Sequence, residues 1–149
     1  MSLEQEVELI RRFPIFSKLP PAKQKLLAFT SERLTFESGH VMFRAGDAGE
    51  ACYIVIDGNI EISVPTPTGP LVVNTLGRNE IIGEIAIFGD VPRTATATTI
   101  SKVETLRISK DQFLSVVREN PDAALELIRI LATRLANTTA QFSKAQNKT

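Results

Sequence analysis

A chain of 149 residues with 43% hydrophobic content holds enough apolar mass for one core, and is read as one domain over 1–149. Its 17 Lys and Arg balance 17 Asp and Glu, which leaves no net field for DNA, RNA or an anionic membrane, so none of these is an expected partner. No apolar run nears the length of a membrane span, the N-terminus lacks the apolar stretch of a signal peptide, and the single Cys52 allows neither an internal disulfide nor a cysteine metal cluster; the expectation is a cytoplasmic protein.

Val7, Leu9, Ile10 and Phe13 recur at roughly helical spacing and predict a first helix that Pro14 ends. Leu19-Pro20-Pro21-Ala22 opens a second short helix carrying Leu26, Leu27 and Phe29, with proline in a first turn, where its missing N–H would lack a partner anyway. These helices take residues 1–30, and Phe16, Phe29 and Phe36 are expected in the core.

From about Glu32 the period becomes two. Ile60, Ile62 and Val64 alternate with Asn59, Glu61 and Ser63 as in a half-buried strand, and Asp57-Gly58 between this run and Tyr53–Ile56 predicts a hairpin. Thr68-Gly69-Pro70 marks a turn before Leu71–Val73, and Thr94–Ile100 and Val103–Ile108 make two more strands joined near Ser101-Lys102. Short strands separated by such turns predict a sandwich or jelly-roll barrel over 31–108. The helical period then returns over 109–142. Ser109 is placed to cap Lys110–Arg118, with Gln112 three residues on as in a capping box. Asn120 caps a longer helix with Pro121 at its first position and an apolar stripe of Ala124, Leu127, Ile128, Leu131 and Leu135. The fold class is mainly β with flanking helices.

The stretch GEIAIFGDVPRTAT, residues 83–96, places an acid and an arginine a short loop apart. Gly83 follows a strand end, Glu84 to Phe88 fit one or two helical turns, and Gly89 and Pro92 stop them. The start of such a helix offers backbone N–H groups without internal partners, and they attract an anion. Gly83 allows close approach, and Arg93 after Pro92 is placed to fold back with a planar guanidinium fork suited to phosphate. Glu84 suits an anionic ligand that also carries hydroxyls, since a carboxylate accepts from a ribose hydroxyl. Thr94 and Thr96 alternate with the small Ala95 and Ala97. An ordinary surface ion pair between Glu84 and Arg93 fits the same residues.

At this point the sequence resembles the cyclic nucleotide-binding domains. GEIAIFGDVPRTAT is similar to their phosphate-binding cassette, SGHVMFRAGDAGEACYIVIDGNIEI (residues 38–62) to their early strands, and ENPDAALELIRILATRL to the helix after the barrel. The resemblance runs from about Phe16 to Leu135. It implies a β jelly roll with helices on either side, and binding of cAMP or cGMP without a cofactor. Carried over, Arg93 pairs with the cyclic phosphate, Glu84 holds the ribose 2′-hydroxyl, backbone N–H groups around Ile85 and Ala86 meet the phosphate, and Thr94 leaves the base open. Ile82 replaces a common Phe, and Arg78-Asn79-Glu80 replaces a more usual Pro-Gly-Asp; Asn79 tolerates the positive φ of such a turn.

The helix after Asn120 is the candidate lid over the base, with Arg134 stacking on the purine and Leu135 packing against it; in the alternative it only caps the barrel. The same helix is a candidate surface for a second copy or an effector protein. One histidine, His40, and one cysteine supply neither a metal site nor a nucleophile–base pair, so no catalysis is expected. Two alternatives share the resemblance. One is a fragment of a catabolite-activator-type transcription regulator, whose helix-turn-helix would follow the long helix. The other is a degenerate domain that binds nothing.

Overall fold

The computed structural model describes residues 2–147. Ser2 caps α1 (Leu3–Arg11): its hydroxyl accepts from the Gln5 N–H at 3.2 Å, and the Gln5 side chain accepts from the Ser2 N–H at 3.0 Å. The helix stops at Arg11, and Pro14 opens a further turn, α2 (Pro14–Ser17), from its first position. In α3 (Pro21–Thr30), Gln24, Leu27 and Ala28 take the buried stripe. Leu26 and Phe29 lie on another face, and Phe29 is 77% exposed, which corrects its expected place in the core. Gln24 joins the helices, accepting from Arg11 Nε at 3.0 Å and donating to the Phe16 carbonyl at 3.1 Å.

Eight strands follow: β1 (Glu32–Phe36), β2 (Val41–Phe43), β3 (Ala51–Asp57), β4 (Ile60–Thr66), β5 (Gly69–Leu76), β6 (Ile81–Ile82), β7 (Thr96–Thr99) and β8 (Val103–Ser109). They form two antiparallel sheets, ordered β1-β8-β3-β6 and β2-β7-β4-β5, in a jelly roll. β4 and β5 form a hairpin with Thr66 opposite Gly69, so the turn expected at Thr68-Gly69-Pro70 falls on Pro67-Thr68 and β5 begins at Gly69. The Asp57-Gly58 turn closes no hairpin, because β3 and β4 belong to different sheets. It is a corner where the chain crosses between them. Gly58 has φ +97°, and a β-carbon there would lie 2.3 Å from the Lys102 carbonyl oxygen, at the second crossing between β7 and β8.

The first sheet is covered on both sides. Cys52, Ile54, Leu106 and Ile108 pack with Ile10, Phe16 and Phe113 under the helices, while Val55, Ile82 and Val103 pack with Ile60 and Ala97 of the second sheet. Double coverage explains why β3 reads as a near-continuous apolar run rather than an alternation.

Two helices complete the chain, α5 (Lys110–Glu119) and α6 (Pro121–Asn147). Ser109 caps α5, accepting from the Gln112 N–H at 3.3 Å, but the Gln112 side chain donates to the Thr30 hydroxyl instead of returning to Ser109. The Asn120 side chain donates back to the Val116 carbonyl at 2.8 Å and closes α5, while its backbone carbonyl accepts from the Ala124 N–H at 3.1 Å and opens α6 from the expected cap position. On α6 the inward stripe is Ala123, Leu127, Ile130 and Leu131; Ile128 and Leu135, expected on it, face solvent. Among the described residues no helix is long and apolar enough to cross a membrane.

Candidate functional site

The chain turns from β6 into α4 (Glu84–Phe88) at Gly83, whose φ of +90° is left-handed. This puts Glu84 at the start of α4, inside the roll and only 2% exposed. Arg93, 6% exposed, is fixed through its backbone: its N–H donates to the Asp47 carbonyl at 2.7 Å, and its carbonyl accepts from the Gly46 N–H at 2.8 Å. The side chain then runs inward. Nη1 donates to the Gly83 carbonyl at 2.9 Å and Nη2 to the Ala51 carbonyl at 2.6 Å, while the guanidinium carbon lies 4.1 Å from the centre of the Phe43 ring. Its Nε is buried with no hydrogen-bond partner. A buried donor left in this state costs free energy that a ligand acceptor would recover.

Glu84 and Arg93 do not form the surface bridge of the alternative reading, since both side chains are buried. Glu84 Oε1 instead accepts from Nη1 of Arg134, fifty residues on, and Nη2 of Arg134 donates to the Ile81 carbonyl at 2.7 Å. Burial pushes the Glu84 carboxyl above the usual carboxylate range, and Arg134 is the largest influence opposing it. Burial likewise lowers the Arg93 guanidinium from its ordinary value.

These groups line a cavity of about 380 Å³. Of the residues singled out in the sequence, Gly83, Glu84, Ala86, Arg93, Thr94, Ala95 and Arg134 all border it. The side chain of Ile85 lies outside the described residues. Leu135 does not border the cavity: one residue past Arg134 on a helix is about 100° around the axis, and Leu135 is 68% exposed. The Arg134 guanidinium is committed to Glu84 and Ile81 rather than held over an open face, as the stacking role expected. The rest of the wall is apolar: Ile82, noted in the sequence in place of a common Phe, and Phe43, Ile62, Val64, Val73 and Leu76, with Asn74, which were not assigned to the site. Ile62 and Val64 belong to the alternation already noted, which was the available signal. A second cavity of about 360 Å³, between α2, α6 and the Asn79–Ile81 segment, shares Arg134 but none of the cassette residues, so the chemistry favours the first. His40 stacks on Phe36 with ring centres 5.0 Å apart, and among the described residues no group of three or more His, Cys, Asp or Glu is placed to hold a metal.

Comparison with known proteins shows the family and the fold. Residues 33–120 match the profile of the cyclic nucleotide-binding domain. A CRP-like cAMP-activated global transcriptional regulator of Mycobacterium tuberculosis is 32% identical over 132 residues, which span 88% of this chain and 59% of that protein. The sensor domain of the transcriptional regulator DNR from Pseudomonas aeruginosa superposes with a TM-score of 0.80 at 26% identity, over 93% of both chains. The regulatory domain of Toxoplasma gondii PKA, crystallised with cAMP, superposes at 0.73 and 27% identity, over 83% of this chain and 46% of that one. The chain belongs to the cyclic nucleotide-binding domain family.

Proposed function

We propose that this domain is a regulatory module that binds cAMP or cGMP in the 380 Å³ cavity and does not turn it over. One observation carries the reading: a buried arginine with an unpartnered Nε and a buried carboxylate border one largely apolar cavity. A cyclic nucleotide matches each feature. Its single anionic phosphate takes the Arg93 donor and the backbone N–H groups around Ile85 and Ala86. Its 2′-hydroxyl donates to Glu84, and its base lies against the apolar wall. The named relatives support this choice of ligand, since one is described as cAMP-activated and another was crystallised with cAMP. A binding role also suits the nucleophiles at hand: Cys52 is fully buried and burial pushes its thiol far up.

The chain spans 59% of the Mycobacterium regulator, which favours a second reading of this module as the sensing part of a transcription regulator. In either case a signal would leave through α6, whose Arg134 touches the site and whose outward Ile128 and Leu135 offer a surface to a second copy of the chain. Calorimetric titration with cAMP and with cGMP tests the function. Saturable heat with at least one nucleotide, and its recovery unhydrolysed, is expected. No heat and no thermal shift with either at millimolar concentration would refute it.

A further inference from the structure

We propose that Phe43 is the positioning residue for phosphate recognition: its ring face is the counterpart of the buried Arg93 guanidinium, and it holds that cation in the cavity while leaving every N–H donor to backbone carbonyls or to a ligand. The proposal rests on the reading of the cavity as a cyclic nucleotide site. Arg93 is buried, and burial works against its charged form. Among the described residues no carboxylate forms an ion pair with it, and Glu84 is bonded to Arg134 instead. Two carbonyls take Nη1 and Nη2. The guanidinium carbon lies 4.1 Å from the centre of the Phe43 ring, where the negative face of the ring offsets part of the lost hydration.

A ring suits this place better than a carboxylate. A carboxylate meets the edge of a guanidinium and takes the donors that a phosphate needs. A ring meets the face and takes none, so Nε stays open toward an incoming anion. The ring is itself held in place. β2 is bulged here, with Val41 opposite Thr98 but Phe43 opposite Ala97, and such bulges re-aim a side chain. Tyr53 of β3 stacks on Phe43 with ring centres 6.3 Å apart and planes 22° apart, and Phe36 of β1 meets Tyr53 edge-on at 6.4 Å. Without the ring, the buried cation gains by swinging through the cavity to water. A ligand must then bring it back, and apparent affinity falls by the fraction of molecules still in the binding pose.

The test titrates cAMP and cGMP against the wild-type chain, Phe43→Met, Phe43→Tyr, and a chain with 3,4,5-trifluorophenylalanine at position 43, which keeps the ring and withdraws charge from its face. For the tighter-binding nucleotide, Phe43→Met should lose about tenfold in affinity and the trifluoro chain about threefold, while Phe43→Tyr stays within about twofold of wild type. A second readout needs no ligand: the Arg93 Nε–H resonance, assigned by its disappearance in Arg93→Lys. In the wild type it should be shifted upfield by the ring, and in Phe43→Met it should move to the position of solvated arginines. Wild-type affinity in the trifluoro chain overturns the proposal, because only the charge of the ring face has changed. Equal losses in Phe43→Met and Phe43→Tyr overturn it too, by reducing the ring to plain wall. If Phe43→Met does not fold, the trifluoro and tyrosine chains decide by affinity. A wild type that binds neither nucleotide removes the cyclic nucleotide reading itself; the role of Phe43 is then decided in the empty protein, where an Arg93 Nε–H resonance unmoved between wild type and Phe43→Met overturns it.

Discussion

Gly83 and Arg93 share one volume: a β-carbon on Gly83 would lie 2.3 Å from Arg93 Nη1, the same atom that donates to the Gly83 carbonyl at 2.9 Å. The glycine is therefore required twice, for its φ of +90° and for the room it leaves the guanidinium. Gly83→Ala should cost about 1–3 kcal/mol of stability from backbone strain and displace Arg93 from its two carbonyls. Cyclic nucleotide affinity should fall by roughly tenfold or more as the buried donor moves. Gly39→Ala is the control, because Gly39 has φ +85° with nothing within 4 Å of its added β-carbon. Urea unfolding and calorimetry on both variants check this. Equal loss of affinity at positions 39 and 83 would mean that backbone strain, not the packing of Arg93, sets binding.

Arg93→Ala should weaken binding more than Glu84→Ala. In the proposed binding mode the arginine meets a formal anion in a desolvated site, worth about 2–5 kcal/mol, whereas the glutamate accepts from a neutral hydroxyl, worth about 1–3 kcal/mol. Arg93→Ala also strips the donors from the Gly83 and Ala51 carbonyls, so its melting temperature should fall as well. Arg93→Lys should recover little, since an ammonium does not span both carbonyls in the plane of a guanidinium. Wild-type affinity in Arg93→Ala would remove the phosphate assignment.

The cassette was legible because its chemistry is local. Gly83, Glu84 and Arg93 lie within eleven residues; their types fit an anion beside a hydroxyl acceptor or a plain ion pair, and the resemblance of the whole stretch to the family's cassette chose between them. What escaped the sequence is what tertiary structure decides. Asp57-Gly58 has the composition of a hairpin turn, yet the chain changes sheets there, with the Lys102 carbonyl so close to Gly58 that a β-carbon would not fit. The long helix carries apolar residues on two faces, so periodicity finds stripes without saying which one meets the core: Ala123, Leu127 and Ile130 do, while Leu125, Ile128 and Leu135 do not. Arg134 was singled out for its reach to the site, but its contact with Glu84 was not foreseen, because nothing local shows that Glu84 meets a cation fifty residues away.

Affinity should rise with pH across a window that begins above the ordinary carboxylate value of 4.5. Burial raises the Glu84 pKa, so on acidification this group protonates earlier than an exposed glutamate. A ligand hydroxyl donating to the ionised form lowers that pKa on binding, so binding releases protons there, and affinity is full above the window and lost below it. Calorimetry between pH 4.5 and 8, in buffers of differing ionisation heat, should show this release in the wild type and its absence in Glu84→Gln. Identical pH profiles for the two would take Glu84 out of ligand contact.

Thr94 borders the cavity next to Arg93 and is exposed to its solvent side. In the proposed binding mode its hydroxyl serves the guanine amino group, which adenine lacks at that position. Thr94→Ala should therefore cost cGMP about 1 kcal/mol, roughly fivefold, and cAMP less. Equal losses for both nucleotides would make Thr94 a contact to the phosphate rather than the base.

The outward face of α6 carries Leu125, Ile128, Ala132 and Leu135, spaced three, four and three residues apart, the repeat of a two-stranded coiled-coil seam. Ile128 and Leu135 are 60% and 68% exposed, while the inward stripe of the same helix is occupied by the core. A regular apolar seam left open on a 27-residue helix is suited to a second copy of itself. The expectation is a homodimer joined along α6, seen by sedimentation equilibrium at micromolar concentration. Ile128→Glu with Leu135→Glu should yield monomers of unchanged circular dichroism, because neither side chain belongs to the core cluster. Leu127→Ala, one residue from Ile128 but buried, should instead cost about 2–5 kcal/mol of stability. Nucleotide affinity in the double variant should fall only a few-fold, through a less firmly docked Arg134, while the cassette contacts persist. A wild type that sediments as a monomer at tens of micromolar would rule out the seam and leave that face to an effector protein.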